Sequence, residues 1–239
     1  RATRVIRPKC FIGENVKGLM TKSKNGKKYI DSIRSDFEEL GYTVYTKVIK
    51  CELLGLPQKR ERLFIVGTLN DRFEFPEESV SNKIGLESII HTDTIMGVEC
   101  PRELFDEIPH DCILSDSGYM LGGHPNLLKF IRLYSEDTDY VVFKFGKRTP
   151  RGAEIIDIRQ GCKTIICSYS FCPRLFVPMK NNGKTSLRTL NITELLQIQS
   201  FPIDFIMCGN DKQMITQIGN AAPPIIVQKI AEKLILCQA

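Results

Sequence analysis

The 239-residue sequence lacks several features that mark special classes of protein. It has no apolar run approaching the roughly 18 residues of a membrane-spanning helix, so we expect no membrane protein. It has no internal repeats and no low-complexity segments, which excludes a repeat architecture. The basic start RATRVIRPK is followed by no apolar signal-peptide core, so no targeting segment is evident.

The nine cysteines lack the spacing of a metal site or of a disulfide framework. No Cys-x-x-Cys pair occurs, and the tightest group, Cys162, Cys167 and Cys172, is spaced by fives with no histidine nearby. An odd number of scattered cysteines is typical of reduced thiols. We therefore expect no metal and an intracellular protein, either in the cytoplasm of a prokaryote or in the nucleus if the source is eukaryotic or viral.

The charge balance is mild. The chain carries 33 lysines and arginines against 28 aspartates and glutamates, a formal net charge of +5, and 42% of its residues are apolar. This composition is typical of a globular protein. The cationic surplus is compatible with a polyanionic partner such as nucleic acid but does not by itself indicate one.

Hydrophobic periodicity predicts an α/β sheet in the first third of the chain. CFIGENV at residues 10–16 and LFIVGTL at 63–69 have the apolar character of buried strands, and YTVYTKVIK at 42–50 alternates as a strand does. A helix after the first strand is indicated by apolar residues at helical spacing, namely Tyr29, Ile30, Ile33, Phe37 and Leu40. We expect the last two strands to pair antiparallel.

The pattern changes twice more along the chain. Residues 72–185 consist of polar turns and short β-rich runs such as DYVVFKF, which indicates an inserted, irregular small domain. From residue 186 onward helical periodicity returns, first in NITELLQIQSF and then in a last helix that we expect Gly219 and Asn220 to open. We therefore predict that segments 1–71 and 186–239 build one large lobe and that 72–185 is the insertion.

Four stretches, in this order, resemble motifs of the cytosine-C5 DNA methyltransferase family. RPKCFIGENVKGL at residues 7–19 resembles its Glu-Asn-Val motif, and GYTVYTKVIKCELLGLPQKRERLFIVG at 41–67 resembles its Gln-x-Arg-x-Arg motif. SLRTLNITELLQIQSFPIDF at 186–205 is similar to the helix after its target recognition domain, and QIGNAAPPIIVQKIAEKL at 217–234 to its closing Gly-Asn-x-x-Pro-Pro helix. Each motif is weak alone, but four in the family's order, framing an insertion, are a strong signal.

The resemblance implies an α/β fold: a partial class I S-adenosylmethionine-dependent methyltransferase sheet of Rossmann-like type, with an inserted small β-rich target recognition domain. Residues 1–71 would be the second half of the catalytic domain and 72–185 the recognition domain. Residues 186–239 would supply the hinge helix of the recognition domain and the closing helix. The implied cofactor is S-adenosyl-L-methionine, and the implied substrate is a cytosine in DNA.

Glu14 and Asn15 are the first candidate catalytic residues. Methylation at C5 of cytosine needs a thiolate that attacks C6 while an acid hydrogen-bonds or protonates N3. Glu14 follows a predicted buried strand, where an α/β fold places reactive groups, and so suits the role of that acid. Asn15 would hold the adjacent loop or contact the polar edge of the base. The alternative is that Glu14 only anchors the turn after the strand.

The cluster LPQKRER at residues 56–62 supplies three more candidates. By resemblance, Arg62 contacts the flipped cytosine or its backbone, Arg60 supports the catalytic loop and phosphates, and Gln58 orders the site. Strand alternation points Lys59 and Glu61 to solvent. The alternative is a solvated charge run at a sheet edge.

Residues 219–221 are expected to bind the cofactor. By resemblance, Gly219, Asn220 and Ala221 close the S-adenosylmethionine pocket, with backbone donors and the Asn220 amide beside the ligand. Alanines stand at 221 and 222, where the family more often has Ser-Val, which weakens any hydroxyl contact. The alternative is a simple junction between a loop and a helix.

Three residues of the recognition region complete the predicted DNA contacts. Arg188 resembles the family's arginine before the recognition-domain helix, where it would hold the hinge between lobes or a phosphate. Thr164 and Ile165 resemble the family's threonine and aliphatic residue near the target base. High β-propensity alone also explains the stretch that contains them.

Two family motifs do not occur in these residues: the Gly-rich cofactor loop and the Pro-Cys loop that carries the nucleophile. Cys10 begins a predicted buried strand and is not expected to be that nucleophile. Three explanations stay open: a split enzyme whose second chain carries the missing motifs, a fragment of a longer protein, or a remnant that only binds DNA. The absence of an initial Met favours a fragment.

Two other functions compete with DNA methylation. A tRNA cytosine-C5 methyltransferase of the same fold would suit the stretch at 186–202, although YSFCPRL at 169–175 only partly resembles that family's Cys-Phe-Thr segment. A non-catalytic DNA-binding module is the alternative from another class. Glu14 argues against it, because a pure binder has no use for an acid at N3.

Overall fold

The computed structural model describes residues 1–21, 28–69, 72–90, 98–99, 154–156, 159–170, 175–181 and 184–236. The chain forms two compact units: unit 1 comprises residues 1–83 and 222–239, and unit 2 comprises residues 84–221. Among the described residues, no helix is long and apolar enough to cross a membrane.

The helices are α1 (Ala2–Ile6), α2 (Tyr29–Glu38), α3 (Ile192–Ile198), α4 (Asp211–Asn220) and α5 (Pro224–Leu236). The strands are β1 (Cys10–Asn15), β2 (Thr43–Lys50), β3 (Gln58–Lys59), β4 (Glu61–Thr68), β5 (Val98–Glu99), β6 (Glu154–Ile155), β7 (Cys162–Lys163), β8 (Leu175–Asn181) and β9 (Lys184–Thr189). Single 3-10 turns form at Lys17–Met20, Cys51–Leu54 and Val80–Asn82.

Unit 1 is built on a three-stranded sheet in the order β1-β4-β2. The central strand β4 pairs antiparallel with both neighbours, with Phe64 opposite Glu14 of β1 and opposite Lys47 of β2. The predicted order of strand, helix, strand and strand is confirmed, as is the antiparallel pairing of the last two strands. Because β1 and β2 both oppose β4, they run parallel to each other, and α2 crosses over between them.

Both faces of this sheet are covered, because successive side chains of β4 point to opposite sides. Leu63 and Ile65 pack in a cluster with Ile30 of α2. Phe64 and Val66 pack in a second cluster, to which α5 contributes three side chains, Ile226, Ile230 and Leu234. The continuous apolar run LFIVG is thus explained by a strand that is buried on both faces, with α2 on one side and α5 on the other.

Unit 2 contains a four-stranded sheet in the order β5-β9-β8-β6, in which β8 and β9 pair antiparallel. Tyr169 connects two parts of this unit: its hydroxyl donates to the Leu175 carbonyl at 2.9 Å and accepts from the Leu190 N–H at 2.9 Å. Burial raises the pKa of this hydroxyl well above its usual value, so it stays a neutral donor.

The compact units divide at 83/84 and 221/222, whereas the sequence pattern places the boundaries at 71/72 and 185/186. The difference at the second boundary has a packing reason. Leu195 and Ile198 of α3 and Ile218 of α4 lie in one buried cluster with Tyr169 and Leu175, so both helices belong to unit 2. Of the three helices α3, α4 and α5, it is α5 that packs on the sheet of unit 1.

Ile230→Ala in α5 should lower the free energy of unfolding of the 239-residue chain by roughly 2–5 kcal/mol, because this fully buried side chain would leave a cavity beside the sheet. Urea unfolding measures the change. Ile235→Ala, on the same helix but 67% exposed, is the matched control and should stay within about 0.5 kcal/mol. Equal losses in the two variants would contradict the packing of α5 through Ile230.

Candidate active site on strands β1 and β4

The register of β1 and β4 brings Glu14 and Arg62 together. Glu14 lies opposite Phe64, and Arg62 is two residues from Phe64 along β4, so both side chains leave the same face of the sheet as diagonal neighbours. Arg62 Nε lies 3.0 Å from Glu14 Oε1. The two side chains are 15% and 22% exposed, so the pair is held by the sheet yet still reached by solvent.

The contact between these two residues is an ion pair whose geometry is not that of a hydrogen bond. Within the described part of the chain, the buried Glu14 Oε1 accepts no hydrogen bond, although Arg62 Nε is adjacent to it. Arg62 also donates through NH1 to the Glu61 carbonyl at 2.8 Å, which fixes the guanidinium against its own strand. The pair therefore holds a carboxyl group in place through charge while leaving it capacity for a further hydrogen bond.

Gln58 and Arg60 precede Arg62 in the same motif, and both are buried. Arg60 is 1% exposed, and burial together with the Arg62 charge lowers its pKa to about 10, against the opposing influence of Cys51 and Glu14. A guanidinium with that pKa keeps its charge at neutral pH. Arg60 has almost no exposed surface, so its side chain is not available to a phosphate in this structure. Its support of the catalytic loop stays a prediction.

Cys51 also lies near Arg60 and Arg62, although the sequence patterns predict no role for it. Its buried thiol has a pKa raised to about 12 by desolvation, despite the nearby positive charges of Arg60 and Arg62. The thiolate is the nucleophilic form of cysteine, so this thiol is inert at neutral pH. Cys51 is thus a packing residue beside the site.

The turn after β1 is fixed by two further contacts. Asn15 Oδ1 accepts a hydrogen bond from the N–H of Val16, the residue after β1, at 2.8 Å. That Asn15 holds the loop or contacts the base stays a prediction. Lys17 Nζ lies 2.6 Å from Glu61 Oε2, and this hydrogen bond lowers the pKa of Glu61. Strand alternation predicts that Glu61 points to solvent, and its side chain is 38% exposed while it pairs with Lys17. Lys17 directly follows the Glu-Asn-Val motif, and Glu61 lies in the Gln-x-Arg-x-Arg motif. The ion pair therefore links these two motifs.

In unit 2, Arg188 is a buried structural residue. Its NH1 and NH2 groups lie 2.8 and 2.7 Å from the two carboxylate oxygens of Glu194, which is fully buried. Glu194 also caps α3 in a reciprocal capping box with Asn191. The expected phosphate contact of Arg188 conflicts with this geometry, since its guanidinium is 3% exposed and engaged by a carboxylate.

The two predicted base contacts differ in accessibility. Ile165 is 1% exposed and packs in the core of unit 2, so its side chain is not available to DNA in this structure. Thr164 is half-buried. The apolar member of the pair therefore serves the core, and neither residue lies in a strand, since β7 ends at Lys163.

Gly219 and Asn220 end α4 and do not open the last helix, which begins at Pro224. A Cβ at Gly219 would lie 2.5 Å from the Cys167 nitrogen, so the glycine is required by close backbone packing. The Ala221 carbonyl accepts a hydrogen bond from Gln199 Nε2 at 2.7 Å. The predicted donors at a helix N-terminus are thus absent from 219–221, and of these three residues only Asn220 is exposed.

Residues 219–221 therefore do not fit the predicted cofactor pocket by themselves. The side of Gly219 where a Cβ would stand is filled by the backbone of Cys167. The end of a helix also presents carbonyl oxygens, which disfavour an anionic carboxylate. Within the described ranges, no group of His, Cys, Asp and Glu could hold a metal ion.

Cys51 should resist alkylation by iodoacetamide at pH 8 in the native chain. With a pKa of about 12, roughly one thiol in ten thousand is ionised at that pH, and the group is also buried. Cys208, which is exposed, is the internal control and should react. Peptide mass spectrometry measures both rates, and denaturant should make them similar. Equal native rates would contradict the burial of Cys51.

Arg188→Ala should lower the free energy of unfolding by roughly 3–5 kcal/mol, because it leaves the Glu194 carboxylate buried without its partner. The double variant Arg188→Met with Glu194→Leu should recover most of that loss in urea unfolding. If Arg188 contacted a phosphate instead, Arg188→Ala would weaken DNA binding and its salt dependence with little loss of stability.

Comparison with known proteins places the chain in a family. The model of the C-5 cytosine-specific DNA methylase family matches residues 1–236. Type II methyltransferase M.BsuFI of Bacillus subtilis is 30% identical over 246 residues, which cover 97% of this chain and 49% of that protein. Type II methyltransferase M1.HphI of Haemophilus parahaemolyticus is 29% identical, over 98% of this chain and 59% of that protein.

Solved structures agree in fold. The Entamoeba histolytica methyltransferase EhMeth superposes with a TM-score of 0.59 at 15% identity, over 97% of this chain and 64% of that one. At this identity the likeness shows the fold alone, which is that of methyltransferases. The chain spans about half the length of the curated relatives it matches. Since the family model matches nearly every residue, the chain belongs to the C-5 cytosine-specific DNA methylase family.

Proposed function

We propose that this chain is the C-terminal portion, or a subunit, of a DNA (cytosine-5-)-methyltransferase, which transfers a methyl group from S-adenosyl-L-methionine to C5 of a flipped cytosine. The observation that carries the proposal is the Glu14–Arg62 pair, a carboxyl group and a guanidinium 3.0 Å apart at the solvent-reached end of a buried sheet. The match to the model of C-5 cytosine-specific DNA methylases supports DNA as the substrate.

The chemistry of cytosine explains why this pair is needed. When a nucleophile adds at C6, negative charge develops on N3 and O2 of the ring, and C5 becomes nucleophilic. Glu14 shares a proton with N3 as that charge develops. Arg62, fixed on the neighbouring strand, holds the carboxyl group and donates to O2 or to the backbone of the extruded nucleotide.

The buried residues behind the pair act by keeping it in place. Arg60 and Gln58 are enclosed by protein, so their polar groups need no rearrangement during the reaction. Arg60 also adds a permanent positive charge near Glu14 and Arg62, which favours the negative charge that develops on the ring.

We propose that the nucleophilic cysteine comes from sequence that this chain does not contain. Cys51 is inert at neutral pH because of its raised pKa, and the motif that carries the family's nucleophile is not found in these residues. Either a longer polypeptide or a second chain would supply that motif together with the Gly-rich cofactor loop. S-adenosyl-L-methionine supplies the electrophilic methyl group, and Asn220 is the exposed candidate to contact it from this chain.

We also propose that the irregular region at 72–185 is the target recognition domain, inserted between the sheet and the helices that follow. A base in duplex DNA has to be flipped before any active site can reach it, so the enzyme needs a separate surface for the flanking DNA. The DNA contact proposed here from unit 1 is Arg62, and Thr164 is the half-buried candidate from unit 2.

Glu14→Gln should lower kcat for methyl transfer by about 10²- to 10⁴-fold and leave DNA affinity within about threefold, because the amide cannot share a proton with N3. The measurement uses this chain combined with sequence bearing the family's Gly-rich and Pro-Cys loops, labelled S-adenosylmethionine, and either DNA or tRNA. Glu38→Gln, which changes an exposed carboxylate at the end of α2, is the matched control and should keep the wild-type kcat.

The outcomes separate the rival functions. Transfer to tRNA but not to DNA would favour the tRNA methyltransferase. If Glu14→Gln loses DNA affinity and the wild type transfers no methyl group, the DNA-binding module would be favoured. A normal kcat for Glu14→Gln would show that Glu14 is not the acid at N3.

A further inference from the structure

The loop at residues 51–60 joins β2 to β4 and carries Gln58 and Arg60. Its ends are closed by a hydrogen bond from the Cys51 N–H to the Arg60 carbonyl at 2.9 Å, and the Cys51 carbonyl accepts the Leu56 N–H at 3.1 Å. The backbone of Arg60 is thus bonded to Cys51, the first residue of the 3-10 turn Cys51–Leu54 that begins the loop.

The end of this turn leaves a backbone carbonyl without a donor from the turn itself. Gly55 follows it with a φ of +92°, a left-handed conformation that suits glycine and stops the turn. The last carbonyl groups of a helical turn have no partner within it, so they need donors from elsewhere.

The segment Glu78–Lys83, which we term the strut, supplies those donors. The Leu53 carbonyl accepts the Ser79 N–H at 3.0 Å and the side-chain amide of Asn82, through Nδ2, at 2.9 Å. One carbonyl of the turn is thus held by two donors from a segment about 30 residues further along the chain. The donor from Ser79 is a backbone N–H, whereas the donor from Asn82 is a side-chain amide. A substitution at position 82 can therefore remove that hydrogen bond.

The ends of the strut are fixed as well. Glu78 Oε2 accepts the Lys50 N–H at 3.1 Å, and its Oε1 lies 2.9 Å from Lys47 Nζ, so Glu78 binds the end of β2. Lys83 Nζ lies 3.4 Å from Glu52 Oε1. Lys83 and Lys47 are substantially exposed, and ion pairs of exposed side chains contribute little to stability. Asn82 is therefore the side chain of the strut whose contact with the turn we test.

We propose that Asn82 is a positioning residue of the methyl transfer: through the Leu53 carbonyl it fixes the 51–60 loop and thereby Arg60 behind the Glu14–Arg62 pair. This inference rests on the proposed function. Glu14 and Arg62 are held by strands β1 and β4, so loss of the Asn82 contact displaces the supporting arginine without breaking the pair itself.

The test replaces the donor by an acceptor of nearly the same shape. Asn82→Asp should lower kcat about 10- to 100-fold, because a small displacement of a supporting group costs that much in rate, and should leave KM for DNA within about twofold. Val80→Ala, in the same turn but 72% exposed, is the matched control and should keep the wild-type kcat. The assay uses this chain combined with sequence bearing the Gly-rich and Pro-Cys loops.

A second readout does not depend on activity. Loosening of the 51–60 loop should expose Cys51, so iodoacetamide at pH 8 should label Cys51 at least tenfold faster in Asn82→Asp than in the wild type or in Val80→Ala. Urea unfolding establishes that each variant is folded under the assay conditions.

The results separate the two proposals. A wild-type kcat in folded Asn82→Asp, or a KM effect in place of a kcat effect, would overturn the positioning role. Unchanged labelling of Cys51 would overturn the strut itself. If the wild-type protein transfers no methyl group, the proposed function is overturned. The positioning role of Asn82 in catalysis then falls with it, whatever the labelling of Cys51 shows.

Discussion

The antiparallel register of β4 between β1 and β2 is the constraint on which unit 1 depends. Alternate side chains of β4 enter the two buried clusters, with Leu63 on the side of α2 and Phe64 on the side of α5. The same alternation sets Arg62 on the face where Glu14 emerges from β1. A slip of one residue would send every side chain of β4 to the opposite face, so the core and the ion pair are specified together.

The sheet also explains how several charged groups lie close together in a buried region. Two guanidinium groups, Arg60 and Arg62, stand near one carboxylate, Glu14, and the cluster keeps a net positive charge. Burial of Arg60 costs free energy, which its lowered pKa reflects. In the proposed reaction that cost is offset when negative charge develops on the cytosine ring, because fixed positive charge in a dry environment interacts strongly with it.

Much of unit 1 could be predicted from the sequence because local patterns dominate it. Alternation along the QKRER cluster separates the buried Arg60 from the exposed Lys59, and period-two and period-3.6 patterns give the strands and α2. The Lys17–Glu61 pair and the role of Cys51 could not be predicted, since they depend on which residues the β1–β4 register brings side by side. Spacing along the chain carries no such information.

The errors in unit 2 have a common physical cause. Gly-Asn suits the end of a helix as well as a loop before one. The clash that a Cβ at Gly219 would make with the Cys167 backbone depends on tertiary packing, which the local sequence does not show. Arg188 has the chemistry of a phosphate ligand, but its acid partner Glu194 lies on the first turn of α3, and the two meet only because β9 delivers Arg188 there.

Burial therefore decides which residues of a motif can touch a substrate. Arg60 and Arg188 are buried and are framework residues in this structure, whereas Glu14 and Arg62 keep part of their surface in solvent. A resemblance between sequences transfers the identity of a residue and its place in a motif, but accessibility is set by the packing of elements that are distant in the chain. Within the Gln-x-Arg-x-Arg motif, two arginines separated by one residue thus differ in exposure, because β4 begins between them and the second lies at the partly exposed edge beside Glu14.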